Sequence, residues 1–182
     1  MQQPVRRPQQ PWDALLTAVN DSLTEPVDLY CLGGFVMAEV YGMARATADI
    51  DFLEVLPANQ ASRIIAVAGP GSTLAEKLGV YLNQTAVQTV PEDYRSRAVE
   101  MFPGAYGRLR LWALDPYDLA LSKLERNVQK DRDDVKYLAT HAGLDSGLLR
   151  QRYQTELRPY LGTAEREDLT LDLWVEMISD TS

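Results

Sequence analysis

Leu32-Gly33-Gly34-Phe35, followed by Arg45-Ala46-Thr47-Ala48-Asp49-Ile50-Asp51, is the stretch whose reading decides the fold. Val27 to Leu32 alternates apolar and polar residues and is rich in strand formers, so it predicts a β-strand. Pro26 closes the helix expected before it. Gly33-Gly34 marks the turn, and Phe35 to Met43 predicts a short helix with Val36, Met37 and Val40 toward a core. Ala48 to Leu56 returns to strand and stops at Pro57. Side chains two apart on a strand share a face, so Asp49 and Asp51 stand about 7 Å apart on one side while Ile50 and Phe52 point into the core.

Two carboxylates on one face repel unless a cation sits between them. Mg²⁺ (or Mn²⁺) suits the position, because Mg²⁺ prefers oxygen ligands and keeps sites open for substrate phosphates. Two such ions can stabilise both oxygens of an in-line phosphoryl displacement. Glycines at a strand-to-helix turn let backbone N–H groups approach phosphate oxygens. Each feature alone has a plainer reading: Asp-x-Asp as a solvated strand edge, Gly-Gly as a packing turn. Strand, Gly-Gly, short helix and Asp-x-Asp strand together are far rarer. The spacing is not a dinucleotide-binding fingerprint, which needs a third glycine, nor a P-loop, which needs Gly-Lys-Ser/Thr.

Outward from this centre, residues 1–11 are rich in Pro and Gln and read as a flexible tail. A helix begins near Trp12-Asp13, with Ala14, Leu15, Ala18, Val19 and Leu23 on one face. Residues 59–68 and 72–79 predict helices, and Gln84 to Val90 predicts a strand. Val99 to Phe102 and Arg108 to Leu114 predict a hairpin around Pro103-Gly104. Asp115 is a good N-cap with Pro116 at the first helical position, opening a helix to about Asn127. Helices are expected near 130–141, 145–160 and 164–179. The expectation is an α/β (α+β) fold: a small mixed sheet flanked by helices, residues 12–115, followed by a helical part, 116–182, packed on that core.

The sequence has 182 residues and a net charge of -8. A field of that sign argues against a general nucleic-acid binder, though not against a local basic groove. One cysteine, Cys31, excludes an internal disulfide framework and a multi-cysteine zinc site. One histidine, His141, weakens every scheme that needs a His base. No apolar run approaches the ~18 residues of a membrane span, and no secretory signal is visible, so a cytoplasmic protein with no membrane partner is expected.

The segment from Leu32 to Asp51 resembles the signature of the polymerase-beta-like nucleotidyltransferase superfamily. It is most similar to the small prokaryotic branch that includes the abortive-infection AbiEii-type toxins, which reads Gly-Gly, short helix, Arg, Ser or Thr, then Asp-x-Asp. A second block, Asp115 to Arg126 and Lys130-Asp131-Arg132-Asp133-Asp134, resembles that branch's later motifs, a helical lysine and a Lys-Asp-x-x-Asp turn. The resemblance covers roughly residues 27–140. It implies a nucleotidyltransferase sheet and transfer of an NMP from an NTP to an acceptor hydroxyl on RNA, tRNA, a protein or a small molecule. It also implies a possible toxin role with an antitoxin protein as partner.

The resemblance implies metal binding by Asp49 and Asp51 and nucleotide binding by Gly33, Gly34, Thr47 and Lys123. It implies catalytic roles for Asp49, Asp51, Lys123, Asp131 and Asp134. Thr47 could equally cap the strand, Lys123 could lie on a solvated face, and acids in a first helical turn are favoured by the helix dipole alone. The superfamily's third metal-site acid has no match on Leu109 to Trp112, which leaves Glu100, Asp115, Asp131 or Asp134 to supply it. The alternatives are a degenerate binding module of the same fold, or an interaction protein acting through Leu169, Leu173 and Ile178 at the C-terminal end.

Overall fold

The structure, a computed structural model, describes residues 5–85 and 89–180. The chain forms two compact units, Met1–Val87 with Ala98–Ala113, and Gln88–Arg97 with Leu114–Ser182.

The first unit is built on a mixed five-stranded sheet among the described residues, in the order β3-β2-β1-β5-β4. Its strands are β1 (Val27–Leu32), β2 (Asp49–Leu56), β3 (Tyr81–Gln84), β4 (Val99–Met101) and β5 (Leu109–Ala113). β1 runs antiparallel to β2 and parallel to β5; β2 and β3 are parallel, and β4–β5 is the expected antiparallel hairpin. The helices are α1 (Trp12–Ser22), α2 (Gly33–Glu39), α3 (Ala61–Ala68) and α4 (Thr73–Leu78). α1 packs against α3, α3 against β3, and α2 against β2.

Period-two burial sorts the sheet's two faces. Val27, Leu29, Ile50, Phe52, Leu82, Leu109 and Leu111 are at most 2% exposed and form the core side. Asp28, Tyr30, Asp49, Asp51, Asn83 and Trp112 alternate with them and are half-buried. The β1–β2 register shifts between Tyr30 and Cys31: Cys31 pairs with Phe52 and Tyr30 with Glu54, which leaves Leu53 as the extra residue of a bulge. The bulge resets the alternation, so Glu54 shares a face with Asp51.

Two expectations shift in the first unit. β3 is Tyr81–Gln84 rather than Gln84 to Val90, and residues 86–88 of that expected strand lie outside the described residues. The parallel pairing with Asp49 to Phe52 fixes an edge strand that begins right after Gly79, the left-handed cap of α4. α2 starts at Gly33 itself and ends at Glu39, earlier than Met43.

The second unit is helical: α5 (Tyr94–Arg97), α6 (Pro116–Leu121), α7 (Gln129–His141), α8 (Ser146–Arg152) and α9 (Glu165–Ser179). α6 opens as expected, with Asp115 accepting from the Asp118 N–H at 2.8 Å, but it stops at Leu121, short of Asn127. The helix expected over 145–160 is α8, a π-turn over Tyr153–Leu157 and a 3₁₀ turn over Arg158–Tyr160. Pro159 has no N–H to continue the α ladder. On α9, Leu171, Trp174 and Ile178 are buried, whereas Leu169 and Leu173 are 67% and 64% exposed. No helix among the described residues is long and apolar enough to cross a membrane.

Truncating a core-side residue should therefore hurt far more than truncating the bulge residue. Phe52→Ala should destabilise the protein by about 3–5 kcal/mol, and Leu53→Ala by much less, as read from urea midpoints.

Candidate active site

The end of β1 and the start of β2 bring five expected residues together. Gly33 has φ +80°, a backbone conformation that side chains rarely tolerate. A Cβ at Gly33 would lie 2.6 Å from Asp51 Oδ2, and one at Gly34 would lie 3.2 Å from Thr47 Oγ1. The two glycines thus form a cradle directly in front of Asp51 and Thr47. The Thr47 hydroxyl donates to Asp49 Oδ1 at 3.0 Å, which orients that carboxylate. Asp51 Oδ1 accepts from Asn83 Nδ2 at 2.8 Å. Leu32 is the cross-strand partner of Asp51 on β1, and Asn83 and Tyr81 are the partners of Asp51 and Asp49 on β3.

Two contributors escaped the sequence reading. Asn83 lies far down the chain, and only the parallel β2–β3 register reveals it. Arg45 belongs to the motif but carried no assigned role; its Cδ would lie 3.8 Å from a Cβ at Gly34, so its side chain runs along the glycine turn. Cys31 faces the core, and burial, reinforced by the Asp51 charge, pushes its thiol far up, which disqualifies it as a nucleophile.

The other expected residues meet one another inside the second unit. Lys123, only 5% exposed, places its ammonium 2.8 Å from Asp134 and 4.0 Å from Asp131. Asp131 also accepts from Arg126 at 2.8 and 2.6 Å and from the Val128 N–H at 3.1 Å, which ties the start of α7 to the preceding turn. Burial alone would raise the Asp131 carboxyl, but the Arg126 and Val128 hydrogen bonds and the Lys123 charge outweigh it and hold it below the ordinary range. The solvated-face reading of Lys123 is thereby corrected: its carbon stem and its charge are both buried.

Arg97 is committed to two carboxylates. It donates to Asp118 twice at 2.9 Å and to Glu156 at 3.1 and 2.7 Å. Arg152 joins Asp115 at 2.6 Å and Asp118 at 3.2 Å. Burial raises the Asp118 carboxyl despite these arginines. Asp115 is thus occupied as an N-cap and ion-pair partner. β5 carries no acid, and no group of three or more His, Cys, Asp or Glu that could hold a metal ion occurs among the described residues.

Paired carboxylates fit Mg²⁺ nonetheless. That ion is commonly bound through one or two carboxylates plus substrate phosphates, and the donors here are hard oxygens beside a glycine cradle that a single Cβ would fill.

A mixed sheet with a glycine turn facing Asp-x-Asp on the next strand defines a nucleotidyltransferase-like α/β architecture. The comparison of sequences agrees: residues 14–179 match the family described as "Nucleotidyltransferase of unknown function (DUF6036)", and the chain belongs to it. No curated protein and no solved structure matches the chain.

Three outcomes follow from this geometry. Gly33→Ala should displace Asp51 and destabilise the fold by about 1–3 kcal/mol, measured by thermal unfolding. Asp134→Ala leaves a buried ammonium short of a partner and should destabilise by about 3–5 kcal/mol, whereas Lys123→Met with Asp134→Leu should recover most of that loss. A depressed carboxyl stabilises above its ordinary value and loses that contribution as pH falls through its folded value. Arg126→Met should therefore flatten the decline of unfolding free energy below about pH 4, followed by urea titration at each pH.

Proposed function

We propose that the chain is a metal-dependent nucleotidyltransferase that moves an NMP from an NTP onto an acceptor hydroxyl. The observation that carries the reading is the Gly33–Gly34 cradle against Asp51 and Thr47. It brings the backbone of the glycine turn beside two carboxylates on one strand face, where phosphate oxygens can approach. Asp49 and Asp51 would hold Mg²⁺ or Mn²⁺, which when bound supplies positive charge to the phosphates. Thr47 and Asn83 hold the two carboxylates in place. Arg45, running beside Gly34, offers a guanidinium for triphosphate charge.

In the reaction, the acceptor oxygen bonds to the α-phosphorus. The bond from that phosphorus to pyrophosphate breaks, pyrophosphate leaves with the electron pair, and the hydroxyl proton passes to water. The mutual pairing of Lys123, Asp131 and Asp134 supports a part for them in holding the second unit together. The likeness to AbiEii-type toxins extends the reading to a toxin restrained by an antitoxin; that biological role rests on resemblance alone.

A second reading has its own observation. With no acid on β5, the fold could bind nucleotide without turning it over. The two readings separate in one assay: each α-³²P-labelled NTP with Mg²⁺, an RNA fraction and a protein fraction, wild type beside Asp49→Asn and Asp51→Asn. Transfer should appear with wild type and fall by at least about a hundredfold in each variant. Nucleotide binding without transfer, unaltered in both variants, would establish the binding module.

A further inference from the structure

β2 and β3 run parallel and in register, so each carboxylate of the site has a neighbour on β3: Tyr81 opposite Asp49 and Asn83 opposite Asp51. Residues directly opposed on neighbouring strands share a face, and Asn83 is half-buried on the face that carries the carboxylates. Its Nδ2 donates to Asp51 Oδ1 at 2.8 Å. That bond uses only the nitrogen of the amide; the same group carries an oxygen with two lone pairs.

The carboxylate pair is short of one oxygen donor. The third acid expected of such a site is absent from β5. Asp115, Asp131 and Asp134 are each spent on a cation of their own unit: Arg152, Arg126 and Lys123. Glu100 lies on β4, at the opposite edge of the sheet from β3. Asn83 alone of these candidates is in register with Asp51 and in hydrogen-bond contact with it.

An amide in this place does what a third carboxylate could not. Asp49 and Asp51 already share one strand face, and a further carboxylate against Asp51 would add repulsion whenever no cation is bound. With its nitrogen toward Asp51, Asn83 is instead a neutral donor, as the Thr47 hydroxyl is to Asp49. The terminal torsion of Asn is broad and roughly two-fold, so a half-turn puts Oδ1 where Nδ2 stands. Two oxygens then face one another across the 2.8 Å now spanned by the hydrogen bond. Neighbouring ligands of an octahedral ion with bonds of roughly 2.0–2.1 Å are about 2.9 Å apart. Carbonyl oxygens, like carboxylates, suit Mg²⁺ and Mn²⁺.

We infer that Asn83 is a third protein ligand of the metal site, binding through Oδ1 beside Asp49 and Asp51, with its amide turned over when a cation is bound. The inference rests on the metal-dependent reading above. It adds a neutral oxygen to the ligand set, so a divalent ion is held by two protein charges rather than three.

The test uses the full chain and Mn²⁺ alone, with the free ion read from its electron paramagnetic resonance signal. Asn83→Leu loses both the N–H and the oxygen and should weaken Mn²⁺ binding by at least about tenfold. Asn83→Asp keeps an oxygen in place but has no N–H to give, and should bind Mn²⁺ at least as tightly as wild type. Ligation itself is read on protein grown with asparagine ¹³C-labelled at the side-chain carbonyl. Electron–nuclear double resonance of bound Mn²⁺ should show a ¹³C coupling in wild type. It should vanish in Asn83→Asp, where Asn20, Asn59 and Asn127 still carry the label. No ¹³C coupling in wild type, with Asn83→Asp weakened as much as Asn83→Leu, would overturn the inference: Asn83 then only props Asp51, and the two-carboxylate site stands. Mn²⁺ bound equally by wild type and Asp51→Asn, or not bound at all, would overturn the metal-site reading and this inference with it. Thermal unfolding of each variant separates lost binding from lost fold, and the ¹³C coupling in wild type is read without any variant.

Discussion

A side chain at position 33 would collide with Asp51, and much of the first unit is arranged around that contact. The chain leaves β1 through a positive φ at Gly33, and the Asp51 carboxylate occupies the space that a Cβ would take. This close approach sets the β1–β2 register at Leu32–Asp51, places α2 directly after the strand, and brings Thr47 against Gly34. Only glycine satisfies both demands at position 33, the backbone conformation and the missing volume. The carboxylate in turn is fixed from its other side by Asn83, so β3 is a structural partner of the site and more than an edge strand.

The bulge at Leu53 solves a second problem. A regular strand would continue the alternation from Asp49 through Leu53 and send Glu54 into the core. The extra residue keeps Val55 buried and Glu54 on the side of Asp51. One face of the sheet can then be fully apolar for the helices while the other gathers carboxylates and the Tyr30–Trp112 pair. The second unit solves its own charge problem by pairing buried ions: Lys123 with Asp134 and Asp131, and Arg97 and Arg152 with Asp118. Removing one member of such a set is far more damaging than never having built it.

The β1–turn–α2–β2 core was legible because its signals are local. Alternation, paired glycines and flanking prolines act within a few residues of the structure they specify. Asn83 was not legible, because its meeting with Asp51 depends on a parallel register between strands joined by two helices. β3 itself was misplaced for the same reason: a short edge strand is defined by what it pairs with. Lys123, Asp131 and Asp134 were singled out by resemblance to a family's later motifs, as residues of the site. That they neutralise one another in a buried cluster could not be read from spacing, which does not distinguish a buried pair from two solvated ones. Pro159 was a readable signal that the helix over 145–160 could not be continuous. Its consequence, a π-turn that carries Glu156 to Arg97, was not.

The central claim is that Asp49 and Asp51 form a metal site facing a phosphate cradle at Gly33–Gly34. The most direct measurement is a crystal structure of the protein with Mn²⁺ and a non-hydrolysable NTP analogue, read by the anomalous signal of the metal. The account predicts a Mn²⁺ peak liganded by both carboxylates, with the triphosphate lying over the two glycines beside Thr47 and Arg45. Metal and nucleotide bound elsewhere, with Asp51 still closed against Gly33, would contradict it.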